Sequence, residues 1–411
     1  MRVLIVSQYF WPESFRINDL ALGLKQRGHT VEVLTGMPNY PGGHFYPHYS
    51  YFSPSSEQYE GIPVKRIPII PRGSRRNWQL AMNYASFFIT AGLLGPLRCR
   101  GKIDVVFVYQ LSPVTVALPG LVLKAIKRAP MLLWVQDLWP ESLSATGAVR
   151  SPWVLRQVRK LVDFIYRRCD RVLVSSKGFT GHVAASGLDK RRIAHVPNWA
   201  ESLYRPLDAT PASVQAELPP GFKVMFAGNI GSAQSFETII AAAYHLRAVQ
   251  DIQWVILGDG HLRPWVKDQI HQKGLENQFH LLGRRPTESM PGYFSAADAL
   301  LVTLRASPAF ALTVPSKVQS YLACGKPIIA AIDGEGAEVV IESGAGVACP
   351  AENPERLAET VMSLYKMSKE ERQVMGRNGR VYFEANFERE LVIGKIEQLM
   401  VSAKQEYPCV S

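Results

Sequence analysis

The sequence predicts an α/β fold made of two parallel sheets, each covered by helices on both faces. Three observations predict it. Between residues 225 and 332, short apolar runs end in glycine turns and give way to helical patterns, over and over. Strands that alternate with helices in this way form a parallel sheet buried on both sides. Residues 1–200 show the same alternation. Between the halves, residues 204–221 carry Pro206, Pro211, Pro219, Pro220 and Gly221 and have the weakest pattern in the chain, which marks a linker. The chain therefore divides into domains 1–203 and 204–388. Its 411 residues, 47% hydrophobic and 20% charged, suit two globular domains.

The first strand, 3–6, begins almost at Met1, without the separate apolar region and small-residue cleavage site of a signal peptide. Helix 15–26 follows, with Gly28 as its C-cap. Further strands are expected at 31–35, 63–67, 105–109, 131–135, 171–174 and 193–195. Helices are expected at 78–97, 115–127, 154–168 and 178–185. In the second half the strands fall at 223–227, 254–257, 279–282, 299–304 and 328–331. One helix begins at Phe236 and another at Pro315-Ser316-Lys317. Helices 353–367, 368–378 and 389–404 follow Val347, with no further strand expected.

The net charge of +11 is uneven. Residues 1–200 hold 26 Lys/Arg against 11 Asp/Glu, and residues 201–411 hold 20 against 24. The basic half points to an anionic partner, such as lipid head groups, a pyrophosphate-linked acceptor or nucleic acid. Its clusters are Arg72/Arg75/Arg76, Arg98/Arg100/Lys102, Lys124/Lys127/Arg128 and the arginines and lysines of 156–171. The first two flank residues 77–97, which carry no charge and are nominally long enough to span a bilayer. Asn77, Gln79, Asn83, Gly92, Gly95 and Pro96 argue instead for a buried or surface-docking helix. Cys99, Cys169, Cys324, Cys349 and Cys409 form no CxxC and no Cys/His cluster, so neither a disulfide framework nor a zinc site is expected. These features fit the cytoplasm.

Ligands of doubly wound sheets bind beyond the carboxyl ends of the strands. Backbone amides at a glycine turn and a helix start form an anion site there. Gly228, Asn229 and Gly231 after one strand, and Gly258 and Asp259 after the next, read as phosphate contacts, with plain turns and a helix cap as the alternative. Lys317 opposes the dipole of the helix it starts, so local stability does not call for it. It reads as a functional lysine, with Ser316 beside it as an N-cap or a phosphate contact. Asp137 ends a buried strand on the ligand side. Glu141 and Glu13 are the other carboxylates of that edge. Arg16 and the loop 37–43, with Met37, Asn39 and Tyr40, read as a ligand-facing surface or as plain loop. His29, His44 and His48 have no metal spacing.

The order of these signals resembles a family. Tyr9-Phe10-Trp11-Pro12-Glu13, Gly28-His29-Thr30-Val31-Glu32-Val33, Met37-Pro38-Asn39-Tyr40-Pro41, Gln136-Asp137-Leu138-Trp139-Pro140-Glu141 and Val196-Pro197-Asn198-Trp199 carry the resemblance in the first half. Ala227-Gly228-Asn229-Ile230-Gly231, Leu257-Gly258-Asp259-Gly260, Pro315-Ser316-Lys317 and Ala323-Cys324-Gly325-Lys326-Pro327 carry it in the second. Along nearly its whole length the chain resembles retaining GT-B glycosyltransferases of family 4, above all those of bacterial O-antigen, colanic acid and capsule synthesis.

The resemblance implies two Rossmann-like domains facing each other across a cleft. The second would bind a nucleotide-sugar, the first an acceptor, and no metal or other cofactor would be needed. Helix 389–411 would pack back on the first domain. Glu338 or its neighbour Glu335 would lie near the donor sugar, and Asp137 would meet the sugar or act as base. Relatives carry an Arg and a Lys where this chain has Asn229 and Gln234, and two Glu where it has Leu312 and Ser320. Lys317 is the expected substitute for the missing charge on the donor pyrophosphate, with Arg284, Arg285 and Arg305 as second choices.

The resulting expectation is transfer of an N-acetylated hexose or deoxyhexose, such as N-acetyl-L-fucosamine, from a UDP-sugar to a polyprenyl-diphosphate-linked saccharide. The enzyme would sit peripherally on the anionic cytoplasmic face of the inner membrane. A nucleotide-sugar epimerase of the same fold is the alternative, and the aromatic, Pro-rich loop after residue 37 argues against it. A nucleic-acid binder is weaker still, since no helix-turn-helix, zinc or RNP-like pattern is present. No nucleic-acid partner is expected.

Overall fold

The structure, a computed structural model, describes residues 1–73, 77–145, 149 and 151–408. Arg75, Arg76 and Cys409 lie outside the described residues. The chain forms two units, Met1–Val196 with Ile393–Ser411, and Pro197–Val392.

In chain order, unit 1 contains β1 (Arg2–Val6), α1 (Arg16–Gln26), β2 (Thr30–Gly36), β3 (Ser56–Tyr59), β4 (Ile62–Ile67), α2 (Asn77–Arg98), β5 (Val105–Gln110) and α3 (Ala117–Lys127). It continues with β6 (Met131–Val135), α4 (Glu141–Ala145), α5 (Pro152–Arg168), β7 (Arg171–Val174), α6 (Phe179–Ala184) and β8 (Ile193–His195). The sheet order is β3-β4-β2-β1-β5-β6-β7-β8, and every pairing but β3–β4 is parallel. β5 and β6 are buried at every residue, as strands covered on both faces must be.

Unit 2 contains α7 (Ala212–Glu217), β9 (Phe222–Ala227), α8 (Phe236–His245), β10 (Ile252–Leu257), α9 (Arg263–Gln272), β11 (Phe279–Gly283), α10 (Met290–Ala296) and β12 (Ala299–Thr303). Then come α11 (Pro308–Ala311), α12 (Ser316–Ala323), β13 (Ile328–Ala331), α13 (Glu335–Glu342), β14 (Gly346–Cys349), α14 (Pro354–Lys366), α15 (Lys369–Asn386) and α16 (Arg389–Glu406). All its strands are parallel, in the order β11-β10-β9-β12-β13-β14. The strand order reverses between β9 and β12, and the crevice at such a reversal is where ligands of doubly wound sheets bind.

The short helices α4, α7 and α11 were not expected, α7 forming inside the stretch read as a linker, and three further elements differ from the sequence expectation. β3 is an added hairpin strand, turned by Glu60 and Gly61, both at positive φ. β14 is a short edge strand of small residues that carries little periodic signal. α15 runs well past residue 378, started by a capping box between Ser368 and Glu371. The units divide before the expected boundary because residues just after Pro197 belong to unit 2: Ala200 joins its core and Tyr204 stacks on Phe294 at 6.0 Å. From Ile393 onward α16 belongs to unit 1, where Glu397 pairs with Arg27 (3.0 Å) and His29 (2.8 Å).

Candidate functional site

In unit 2 the loops after β9, β10 and β11 are laced together by backbone. Gly228 N–H donates to Leu257 O (2.8 Å), Gly258 N–H to Gly283 O (2.9 Å) and Ile230 N–H to Asp259 O (2.9 Å). This closeness demands glycine. Gly228 and Gly258 sit at φ +149° and +140°. A Cβ on Gly258 would strike the Gly228 carbonyl, and one on Gly228 would lie 2.6 Å from Cε of Lys317. Beside the loops lies a depression of about 250 Å³ whose lining includes Gly228, Asn229, Gly258, Asp259 and Arg284. Five expected donor-site residues thus meet in one place.

Lys317, in the first turn of α12, stands against this cradle. Its Nζ donates to Gln234 Oε1 at 2.5 Å and lies 4.3 Å above the ring of Phe226. Burial lowers its pKa to about 8, because the ammonium loses water and gains no carboxylate. Ser316 is exposed beside it. α12 starts at Pro315 with no side-chain cap, so its first amides add positive potential there. The side chain of Asn229 is seated over Gly231 and Gly260, with its Oδ1 2.8 Å from where a Gly260 Cβ would be. Asp259 accepts from Gly260 N–H at 2.8 Å and shapes its own turn.

Of the other candidates, Arg285 also lines this depression and the rest stand outside its lining. Arg305 donates to Ser232 O (2.5 Å) and pairs with Glu237 (2.7 Å), bracing the turn that holds Gln234. Arg285 is tied to Glu217 (2.7 Å) and Tyr293 Oη (2.9 Å). Glu335 is buried and Glu338 exposed at the start of α13. That turn packs on the start of α12, where a Gly336 Cβ would lie 2.8 Å from Pro315 Cδ. Tyr204, Thr287 and Met290, which line the depression, were not singled out in the sequence, and Gln234 was named only as a departure from the relatives' pattern.

In unit 1, Glu13 is buried and its carboxylate is taken by backbone amides. Asn39 N–H (2.8 Å) and Tyr40 N–H (2.7 Å) donate to Oε1, and Phe10 N–H (3.3 Å) to Oε2. Burial pushes its pKa up to about 7 against those bonds. It braces the loop after β1 on the loop after β2. This corrects the reading of Glu13 as a reacting carboxylate. Met37 and Asn39 are likewise buried and floor the loop. Tyr40 is 38% exposed. Arg72 caps it, 5.1 Å above the Tyr40 ring, with Nη1 donating to Tyr9 Oη at 2.6 Å. Arg72, read above as part of a surface cluster, belongs to this aromatic box. Arg16 opens α1 close enough to Tyr109 to oppose the rise of its pKa, which burial takes to about 12.

Asp137 follows β6. Gln110 Nε2 holds its backbone carbonyl at 2.7 Å, and Trp139 Nε1 donates to Ser112 Oγ at 3.2 Å nearby. Burial pushes its carboxyl up to about 6, against hydrogen bonds from Ser142, Trp139 and Ser112 and with help from Glu141. Glu141 pairs with Arg159. Asp137 and Glu141 are both partly exposed, but Glu141 is paired with Arg159 and Glu13 is held by main-chain amides, whereas the causes that oppose the rise of the Asp137 pKa are side-chain hydrogen bonds. Among the described residues no group of three or more His, Cys, Asp or Glu could hold a metal ion.

Comparison with known proteins gives the same picture. Residues 14–199 match the Glycosyl transferase 4-like domain and residues 214–382 match Glycosyl transferases group 1. The chain is 28% identical over 298 residues to the probable glycosyltransferase WbjE of Pseudomonas aeruginosa, covering 70% of this chain and 73% of that one. It is 25% identical over 340 residues to the putative colanic acid biosynthesis glycosyl transferase WcaI of Escherichia coli K12, covering 79% and 82%. Among solved structures it resembles Anabaena HepE in complex with UDP (TM-score 0.71, 17% identity, 98% and 100% covered). It also resembles the sucrose-phosphate synthase of Thermosynechococcus elongatus (TM-score 0.69, 17% identity, 98% of each chain). At these identities the last two speak for the fold.

Proposed function

We propose that this chain, a member of the GT-B glycosyltransferases, moves a sugar from a UDP-sugar to a polyprenyl-diphosphate-linked saccharide in bacterial surface-polysaccharide synthesis. The observation that carries the reading is Lys317 set against the Gly228–Gly258 cradle. Transfer breaks the bond from the sugar's C1 to the donor phosphate oxygen, and the leaving diphosphate takes the electron pair. A cation and the uncapped helix start of α12, fixed beforehand at that position, stabilise the developing charge without reorganisation. Diphosphate binding also lifts the cost of a half-buried, unneutralised ammonium.

Unit 1 supplies the acceptor side. Asp137 receives the proton of the attacking hydroxyl, or positions that hydroxyl while a donor phosphate oxygen takes it. The new bond forms between that oxygen and C1 on the face the diphosphate leaves, so the anomeric configuration is retained. No step calls for a metal. Trp139 is nearly buried and shapes the Asp137 turn. The name of the Escherichia coli relative, a putative colanic acid biosynthesis glycosyl transferase, favours polysaccharide synthesis, and an N-acetylated hexose or deoxyhexose such as N-acetyl-L-fucosamine fits that setting.

The test is product analysis with polyprenyl-diphosphate-linked saccharides and a panel of UDP-sugars. UDP release that requires acceptor, with a retained anomeric linkage in the lipid-bound product, supports the proposal. An epimerised free sugar formed with UDP in the absence of acceptor would replace it with the epimerase reading.

A further inference from the structure

We propose that the outer face of α2, α3 and α5 seats unit 1 on an anionic lipid bilayer, with α2 lying in the plane of the interface. This deepens the lipid-linked acceptor reading, but it stands on observations of its own.

The crossovers β4 to β5, β5 to β6 and β6 to β7 run in one direction across the sheet. Right-handed connections therefore place α2, α3 and α5 on the same face. α3 packs against both of the others.

Among the described residues, α2 is the one helix whose length and composition would let it cross a membrane. Its packing gives it a different role. Asn83, Phe87, Ala91 and Gly95 recur every fourth residue and form one buried face. Asn83 accepts from Gln8 Nε2 (2.8 Å) and donates to Ile70 O (2.6 Å), which ties the helix to the sheet edge. On the opposite side, Trp78, Met82, Ile89, Leu93 and Leu97 are 62%, 47%, 48%, 69% and 65% exposed. Their spacing of four and seven residues makes a single stripe along the helix. A helix anchored along one side with apolar residues along the other lies on a membrane and does not cross it.

Charge identifies the occupant. α2 and α3 contain no Asp or Glu, and α5 contains Asp163 against five Lys/Arg. Exposed Val122 and Ile126 on α3 and Phe164 on α5 extend the apolar surface. Arg168 lies 3.7 Å above the Phe164 ring, an apolar body with a cationic tip. Apolar residues among bases with almost no acids match anionic head groups over an acyl boundary. A protein partner would bring no such requirement for uniform negative charge.

The test is flotation of the full chain with phosphatidylglycerol-containing vesicles and with pure phosphatidylcholine vesicles. The proposal expects binding to the former, weakened by salt. It expects a blue shift of tryptophan emission that Trp78→Phe removes. Leu93→Glu with Leu97→Glu should lower the partition coefficient on the order of tenfold or more. That variant should keep wild-type thermal stabilisation by UDP, which separates lost docking from lost folding and from failure of the donor reading. Lack of binding to anionic vesicles would overturn the proposal. So would binding unchanged in the Leu93/Leu97 variant, quenching of Trp78 from the bilayer centre, or a dimer that the variant dissolves.

Discussion

Nζ of Lys317 donates to Oε1 of Gln234 across 83 positions of sequence, at 2.5 Å. The contact brings a charge from the start of α12 to the turn after β9. The sequence lacks a basic residue in that turn, and the fold supplies one from elsewhere.

Lys317→Met should weaken UDP binding by roughly 2–3 kcal/mol, the loss of a charge-assisted contact to phosphate. Because the folded pKa lies below the unfolded one, Lys317 contributes stability above its ordinary pKa and loses it as pH falls through about 8. The free variant should therefore be no less stable than wild type at pH 7. Wild-type UDP affinity should fall as pH rises past about 8. Calorimetric titration across that range checks both, and an affinity flat from pH 7 to 10 would remove the lysine from the diphosphate site.

Asp137→Asn should cut turnover strongly while leaving UDP binding at its wild-type value. Its folded pKa is raised to about 6, so it contributes stability below pH 4 and loses it as pH rises through 6. The Asn variant should then melt higher than wild type at pH 8, by roughly 1 kcal/mol after discounting for partial exposure. Wild-type turnover should rise through about pH 6. Unchanged turnover in the variant would make Asp137 structural.

Gly258→Ala should cost roughly 2–4 kcal/mol, since the new methyl meets the Gly228 carbonyl and the backbone is at φ +140°. Gly28→Ala, at φ +84° with nothing within 4 Å, should cost only roughly 1 kcal/mol. Chemical denaturation of both separates collision from backbone strain.

Arg72→Ala removes the cation above Tyr40 and the bond to Tyr9, a loss of roughly 1–2 kcal/mol. Acceptor KM should rise severalfold with UDP affinity unchanged. A normal acceptor KM would confine the box to structure.

The glycine turns of unit 2 were legible because close backbone approach leaves a mark in sequence: Gly228 and Gly258 touch, and no other residue fits. Lys317 was legible because it opposes a helix dipole. Its partner was not, since a glutamine in a turn carries no pattern. Glu13 misled for a related reason. A carboxylate at a strand end looks the same in sequence whether it faces a substrate or the amides of Asn39 and Tyr40. β3 and β14 were missed because short edge strands of polar or small residues lack period-two hydrophobicity.

The central claim is that unit 2 holds a uridine diphosphate against Lys317. Thermal stabilisation of the whole chain by UDP, GDP and CMP, with Lys317→Ala alongside, tests it most directly. UDP should stabilise the chain by about 3 kcal/mol at a hundredfold excess over Kd, the others little, and most of the UDP shift should be lost in the variant. Stabilisation by none of the three, or an equal UDP shift in Lys317→Ala, would contradict it.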